Sequence, residues 1–171
     1  MVRNDEGLFD DVRQLIDKGC LKEAQSLLQR LVDRCNPEAI FLRSTFSIAN
    51  EESAEEFEKR SVEMLRMSAL LGYPPALYAL AVCYDSGDLV NQNAEFAALL
   101  FKKAAEYGHS VAKLNYGLDL VYGSNGISKD FVSGLNVIKQ AADEGVDGAQ
   151  EELAALMESI ESNNHSTKNN S

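Results

Sequence analysis

Residues 76–87 read ALYALAVCYDSG, and residues 102–109 read KKAAEYGH. The same pattern returns one repeat later, where residues 112–123 keep the small and apolar positions and residues 139–145 read KQAADEG. Four columns of small residues advance together along the chain in steps of 36 or 37 residues. The columns are Ala39, Ala76, Ala112 and Ala149; Ser44, Ala81, Gly117 and Ala154; Ala69, Ala105 and Ala142; and Gly72, Gly108 and Gly145. A fixed period of this length indicates a protein built from stacked structural repeats.

Each repeat is predicted to contain two helices. Small side chains let two helices approach closely, because Gly, Ala and Ser project little from the helix surface. The glycine column follows an apolar helical run, at the place where a residue in the left-handed conformation commonly ends a helix. One helix pair cannot bury its apolar stripe alone, so neighbouring pairs must stack. We therefore predict an all-α fold, a right-handed α-solenoid of antiparallel helix pairs with about nine helices.

Hydrophobic periodicity and capping residues place the predicted helices along the chain. Ser53 and Glu56 are predicted to form a capping box, and Asn93 and Asp130 occupy matching cap positions in the two clearest repeats. The predicted helices cover residues 5–18, 21–34, 37–49, 54–71, 74–85, 94–107, 110–122, 130–144 and 147–160. Residues 162–171 are polar and without periodicity, so we predict a disordered tail there.

The repeated pattern A-x-x-x-L-A-x-x-Y-x-x-G, followed by K-A-A-E-x-G-H, resembles the Sel1-like repeat, a branch of the tetratricopeptide superfamily. The repeats that begin at Ala76 and Ala112 match it well. The repeat that begins at Ala39 is degenerate, because Arg43 and Ser47 replace apolar and aromatic residues of the pattern. The clear resemblance covers about half of the chain. It is specific for the fold and weak for function, since such solenoids bind many unrelated partners.

The resemblance also implies how the chain is organised. Residues 1–36 resemble a generic tetratricopeptide helix pair, and residues 37–161 are predicted to form Sel1-like repeats with a C-terminal capping helix. We expect these two segments to make one continuous domain. His109 follows Gly108 at a position where the family commonly has histidine, which implies a structural role in the turn.

The composition restricts the kind of partner. The net charge is −11, from 16 basic and 27 acidic residues, and this argues against direct binding of nucleic acid. A basic or mixed-charge partner surface is favoured, although solubility alone accounts for the charge equally well. The three cysteines form no Cys-x-x-Cys motif, the first residues are polar, and no apolar run has the length of a membrane span. We therefore expect a cytoplasmic protein that does not enter the membrane.

The sequence contains no pattern that predicts catalysis or metal binding. His109 and His165 are the two histidines, and with scattered thiols they form no zinc-ligand set. The sequence GSNG at residues 123–126 lacks the following Lys-Ser/Thr and the preceding strand of a phosphate-binding loop, so we interpret it as a connection within a repeat. We expect no enzyme activity, no cofactor and no metal.

The predicted binding site is a concave groove, because in tetratricopeptide-like repeats the first helix of each pair lines the inner surface. The residues two and six places after each first-column alanine should face this groove, with the residue nine places on near its rim. They are Phe41, Thr45, Ile48, Tyr78, Val82, Asp85, Leu114, Leu118, Val121 and Glu151, with Ala155 and Glu158 as further positions on the last helix. Apolar surface rimmed by polar residues is typical of partner sites. A register shifted by one helical position would instead bury these side chains.

The function implied by the resemblance is a non-enzymatic protein-binding module. Most concretely, short acidic bacterial proteins with these repeats resemble cytoplasmic immunity proteins that neutralise a cognate toxin, and an acidic surface would suit a basic toxin domain. The alternative is an adaptor or scaffold that binds peptide segments of signalling or quality-control partners. A hydrolase is a third hypothesis, since some proteins that this chain resembles have been proposed to bind cell-wall components. We expect the chain to be a monomer by itself.

Overall fold

The computed structural model describes residues 5–45 and 52–168, and over these residues the protein forms nine helices and no strand. The helices are α1 (Asp5–Asp17), α2 (Leu21–Val32), α3 (Pro37–Ser44), α4 (Ala54–Leu70), α5 (Pro74–Ser86), α6 (Ala94–Glu106), α7 (Ser110–Tyr122), α8 (Phe131–Asp143) and α9 (Ala149–Lys168). The chain divides into two compact units, Met1–Leu80 and Ala81–Ser171, within which consecutive helices pack together. The predicted all-α fold of helix pairs is thereby confirmed. The predicted division of the sequence at residue 36 stays a prediction.

The first unit is held together by an apolar core and by buried hydroxyl groups. The core cluster joins α1, α2 and the start of α3, and consists of Leu8, Phe9, Val12, Leu28, Leu31 and Ala39. Helix α4 is fastened to α3 by two serines. Ser61 donates a hydrogen bond to the carbonyl of Ser44 at 2.7 Å, and Ser68 donates one to the carbonyl of Pro37 at 2.6 Å. Because the serine side chains are short, these bonds also bring the two helices close together.

In the second unit, α7 and α8 approach each other closely at two glycines. Gly117 of α7 faces Gly134 of α8, and a Cβ atom built on Gly134 would lie 2.7 Å from the carbonyl oxygen of Gly117. Ile138 of α8 and Val121 of α7 pack beside the glycines with Leu156 of α9, and these three side chains form the buried cluster of this unit. The column of small residues in the sequence therefore marks a real site of close packing.

The predicted helix starts are confirmed by their hydrogen bonds. Ser53, Asn93 and Asp130 each accept a hydrogen bond from the backbone N–H three residues later, at 3.2, 3.0 and 3.0 Å. The carboxylate of Glu56 accepts the backbone N–H of Ser53 at 2.8 Å, which completes the predicted capping box. Each cap provides an acceptor for a backbone donor that the helix itself leaves unpaired.

The column glycines end the second helices as the sequence predicts. Gly108 has a φ of 91°, a conformation that residues with a Cβ rarely adopt. Its N–H donates to the carbonyl of Ala105 at 3.0 Å, while the N–H of His109 donates to the carbonyl of Ala104 at 2.9 Å. These two bonds are the Schellman pattern, which provides donors for the last carbonyls of α6. The same pair of bonds recurs around Gly145 at the end of α8.

The last helix differs from its predicted bounds. Helix α9 begins at Ala149 and continues to Lys168, whereas its predicted range is residues 147–160. No Gly or Pro follows Gly148, so the sequence contains no residue that would force the helix to end. Residues 162–168, which the sequence analysis assigns to the disordered tail, are therefore helical backbone, and residues 169–171 lie outside the described residues. The predicted end of α3 near residue 49 also lies outside them, since the described part of this helix ends at Ser44.

Candidate protein-binding surface

The predicted site residues of the first unit differ in exposure. Phe41 is half-buried, and its ring lies 5.5 Å from the ring of Tyr73. Thr45 is exposed, and its hydroxyl donates to the carbonyl of Leu42 at 2.7 Å. Tyr78 is partly buried. Ile48 lies outside the described residues. Thr45 therefore offers its surface to solvent, while Phe41 and Tyr78 offer part of theirs.

In the second unit, the predicted residues on the end of α5 and on α9 are open to solvent. Val82 is 40% exposed, and Asp85 and Glu151 are exposed. On α7, Leu114 and Leu118 are partly buried and pack against the buried cluster. These two leucines are therefore only partly accessible to a partner.

Val121 is a correction to the predicted surface. Its side chain is only 2% exposed and packs with Ile138 and Leu156, so it does not lie at an accessible rim. The cause is the close packing around Gly134, since the Val121 side chain fills the space that this glycine leaves. Asp85 occupies the same position one repeat earlier and is exposed, which shows that repeat position alone does not determine burial.

The exposed acids on the first helices of the second unit lie mainly on α9. The first helices, over residues 81–86, 110–122 and 149–160, carry four exposed acidic residues: Asp85, Glu151, Glu152 and Glu158. Lys113 is the one basic residue in these ranges. The second helices, α6 and α8, are balanced, with three residues of each sign: Glu95, Glu106 and Asp143 against Lys102, Lys103 and Lys139. The acidic excess of the helices in this unit therefore lies on the first helices.

Lys113 does not offset this excess, because it is already paired. Its ammonium group donates a hydrogen bond to the carboxylate of Glu144, and the Lys113 side chain is only 13% exposed. Hydrogen bonds from Lys113 and then from Ser110 hold the pKa of Glu144 below its usual value, so this carboxylate stays ionised. The pair joins the start of α7 to the residue that follows α8.

A buried aspartate, absent from the predicted site, fixes the loop between α7 and α8. Asp119 is 6% exposed, and its carboxylate accepts hydrogen bonds from the hydroxyl of Ser124 at 2.6 Å and from the side-chain amide of Asn125 at 2.8 Å. A buried carboxylate needs such donors to compensate for lost hydration. The loop at residues 123–126 follows a helix and is folded onto Asp119, in agreement with its interpretation as a connection within a repeat.

His109 has the structural role that the resemblance implies. Its Nδ1 accepts the backbone N–H of Ala112 at 3.2 Å and so caps the start of α7. Burial lowers the pKa of the imidazole, which favours the neutral form that can accept this bond.

Among the described residues there is no group of three or more His, Cys, Asp or Glu side chains placed to hold a metal ion. Likewise, none of the described helices is long and apolar enough to cross a membrane.

Known structures with the same fold are Sel1-repeat proteins, although no family model matches the sequence. A Sel1 repeat protein from Oxalobacter formigenes superposes with a TM-score of 0.68 at 26% identity, over 75% of this chain and 95% of its own length. A protective antigen of uropathogenic Escherichia coli with an SLR fold has a TM-score of 0.65 at 21% identity, and the match covers 78% of this chain and 28% of that protein's length. Helicobacter pylori cysteine rich protein B has a TM-score of 0.54 at 18% identity, and the match covers 74% of this chain and 94% of that protein's length. These neighbours show that the chain has the fold of Sel1-repeat proteins.

Proposed function

We propose that the protein is a non-catalytic binding module whose second unit binds a basic surface of another protein. The fold of its structural neighbours suggests a protein-interaction module and is typically a non-catalytic scaffold. The observation that carries the more specific proposal is the excess of exposed acids on α9 and at the end of α5, whereas the charges of α6 and α8 are balanced. Three of the four exposed acids lie on α9, and carboxylates concentrated in this way produce a local field that attracts a basic surface.

The proposed contact residues combine charge with apolar surface. In the second unit they are Asp85 and Glu151, with Val82 exposed three residues before Asp85 and with the partly buried Leu114 and Leu118 as apolar support. Carboxylates attract a basic partner and accelerate its approach, whereas apolar groups at the centre of an interface contribute most of the affinity. In the first unit, Phe41, Thr45 and Tyr78 stay predicted contact residues.

A toxin domain is the more specific partner that we propose, with the chain acting as its cytoplasmic immunity protein. The support for this form of the proposal is the excess of exposed acids on α9 and at the end of α5, which suits a basic toxin domain. Inhibition of a toxin requires a tight and well-shaped contact and no chemistry from the inhibitor. Co-expression with the captured partner tests it: the partner alone should stop growth, and the chain should restore it.

The experiment that tests the binding surface compares two variants of equal net charge. Asp85→Lys with Glu151→Lys reverses two exposed acids of the first helices. The control, Glu106→Lys with Asp143→Lys, reverses two exposed acids at the ends of the second helices. The control removes only exposed ion pairs, Lys102–Glu106 at 4.0 Å and Lys139–Asp143 at 3.0 Å, which contribute little to stability.

Each tagged protein is then used to capture partners from a lysate of the source organism at about 0.15 M salt. We expect a basic partner to be retained by the wild type and by the control and to be lost from the first variant. Equal retention by both variants would assign the acidic residues to solubility alone. Several weakly held partners, with no basic protein among them, would instead favour the adaptor hypothesis.

A further inference from the structure

A cleft of about 270 Å³ lies between α7, α8 and α9 at the C-terminal end of the second unit. Its lining includes the aromatic side chains of Tyr122 and Phe131 and the short side chains of Ala155 and Ser159. Tyr122 is 62% exposed, so one of the two rings is accessible from solvent. The cleft is smaller than pockets that enclose drug-sized ligands, which measure roughly 300–1,000 Å³, and its size suits a single large side chain.

The cleft is open because α9 departs from the repeat. Ala155 and Ser159 lie 37 residues after Leu118 and Tyr122 of α7, the step that separates the corresponding first-column alanines. In α9 a leucine and a tyrosine are thus replaced by two small residues. The floor of the cleft is formed by Val121 and Leu156, which belong to the buried cluster and hold its shape. The replacement removes apolar volume at a place where the surrounding walls are fixed.

The charges around the cleft favour an occupant with basic neighbours. Glu152 lines it, and Glu151 and Glu158 lie on the same helix, which carries no basic residue between residues 149 and 160. Lys129 is the cation among the lining residues, and it lies on the loop before α8 rather than on α9. Aromatic walls pair favourably with an aromatic ring. An aromatic side chain with basic flanking residues therefore fits both the walls and the charge of α9.

We propose that this cleft receives an aromatic side chain of the partner protein, one that is flanked in the partner's sequence by arginine or lysine. The inference rests on the proposed function and identifies the group by which a basic partner is anchored. Buried aromatic anchors commonly contribute a large share of the binding energy of an interface. The acidic residues of the first helices attract the partner, and the cleft selects the side chain.

The test is an NMR titration of the 18.8 kDa protein with blocked tripeptides at millimolar concentration. The probe is acetyl-Arg-Trp-Arg-amide, and the comparison peptides are acetyl-Arg-Ala-Arg-amide, which lacks the ring, and acetyl-Glu-Trp-Glu-amide, which reverses the charge. We expect saturable shifts of the backbone amides of Tyr122, Phe131, Ala155 and Ser159 with the first peptide. Each comparison peptide should bind about tenfold more weakly.

Two variants separate the cleft from the rest of the surface. Ala155→Leu with Ser159→Tyr fills the cleft with the residues that α7 carries at the same positions, so the helix fold accommodates them. Ala154→Leu is the control, because Ala154 is exposed on α9 and does not line the cleft. We expect the filled variant to bind the probe about tenfold more weakly and the control to bind it like the wild type. Ser159→Tyr alone replaces the double variant if thermal unfolding shows that the latter is not folded.

The proposal is overturned if the alanine peptide shifts the same amides equally, if the filled variant keeps its affinity, or if no shift occurs at the cleft. A result that separates the two proposals is also available from the captured partner. If the charge-reversed variant loses the partner while the filled variant retains it, the acidic binding surface stands and the cleft does not. Loss of binding in the filled variant alone would assign recognition to the cleft and count against the acidic surface.

Discussion

Replacement of Gly134 by alanine should destabilise the protein by about 2 kcal/mol. The added Cβ would lie 2.7 Å from the carbonyl oxygen of Gly117, 2.7 Å from Cγ2 of Val121 and 2.9 Å from the backbone nitrogen of Val121. Ordinary contacts between carbon atoms are about 3.5–4.0 Å. Two of the three neighbours are backbone atoms of α7, so the helices must separate. Overpacking destabilises a protein by about 1–3 kcal/mol, and we expect the upper end here. Alanine gains about 1 kcal/mol over glycine in helix propensity, which leaves a net loss of about 2 kcal/mol.

Urea unfolding followed by the helical circular dichroism signal measures this loss. The matched control is Asn136→Ala, two residues further along α8 and exposed, where alanine should leave stability unchanged or raise it slightly. Gly117→Ala should also destabilise the protein, because its Cβ would lie 2.6 Å from Cγ1 of the fully buried Ile138. A Gly134→Ala protein as stable as the wild type would refute the close packing of α7 on α8.

Two further predictions concern the helix caps. Because burial lowers the pKa of His109 in the folded protein, its contribution to stability is complete above the unfolded value near 6.5 and is lost as the pH falls through the folded pKa. Asparagine at this position keeps a cap acceptor that does not titrate. Between pH 7.5 and 5.5 the wild type should therefore lose up to about 1 kcal/mol more of its free energy of unfolding than His109→Asn. Equal pH dependence in thermal unfolding of the two proteins would contradict this prediction. Ser53→Ala should lower the free energy of unfolding by about 1 kcal/mol through loss of the capping box, whereas Ser53→Asp should change it little because aspartate is also a good cap. The midpoints of urea unfolding measure both changes. An alanine variant as stable as the wild type would show that the cap does not stabilise α4.

The features that follow from local sequence rules were predictable. The caps at Asn93 and Asp130 and the turn at Gly108 depend on residues within a few positions of each other, so the repeat pattern and capping preferences identify them. The helix starts of both clear repeats follow from the same rules. The helical backbone of residues 162–168 was not predicted, because these residues are polar and show no hydrophobic periodicity. The absence of Gly and Pro lets the helix continue but does not by itself predict one.

The features that depend on tertiary packing were not predictable from one repeat position. Val121 and Asp85 occupy equivalent places, yet Val121 is buried against Gly134 of α8 and Leu156 of α9, whereas Asp85 is exposed. Gly134 lies 37 residues after Ala97, so the period of small residues extends to the second helices and could have indicated close packing there. The buried role of Asp119 depends on the loop that folds back over it, which no helical pattern indicates.

Carboxylate footprinting of the complex tests the proposed binding surface most directly. The protein is labelled with a carbodiimide and an amine, alone and with the captured partner, and mass spectrometry reads the modification of each exposed acid. We predict that Asp85 and Glu151 become protected in the complex while Glu106 and Asp143 are labelled as in the free protein. Protection of Glu106 and Asp143 without protection of Asp85 and Glu151 would place the partner on the second helices and contradict the proposal.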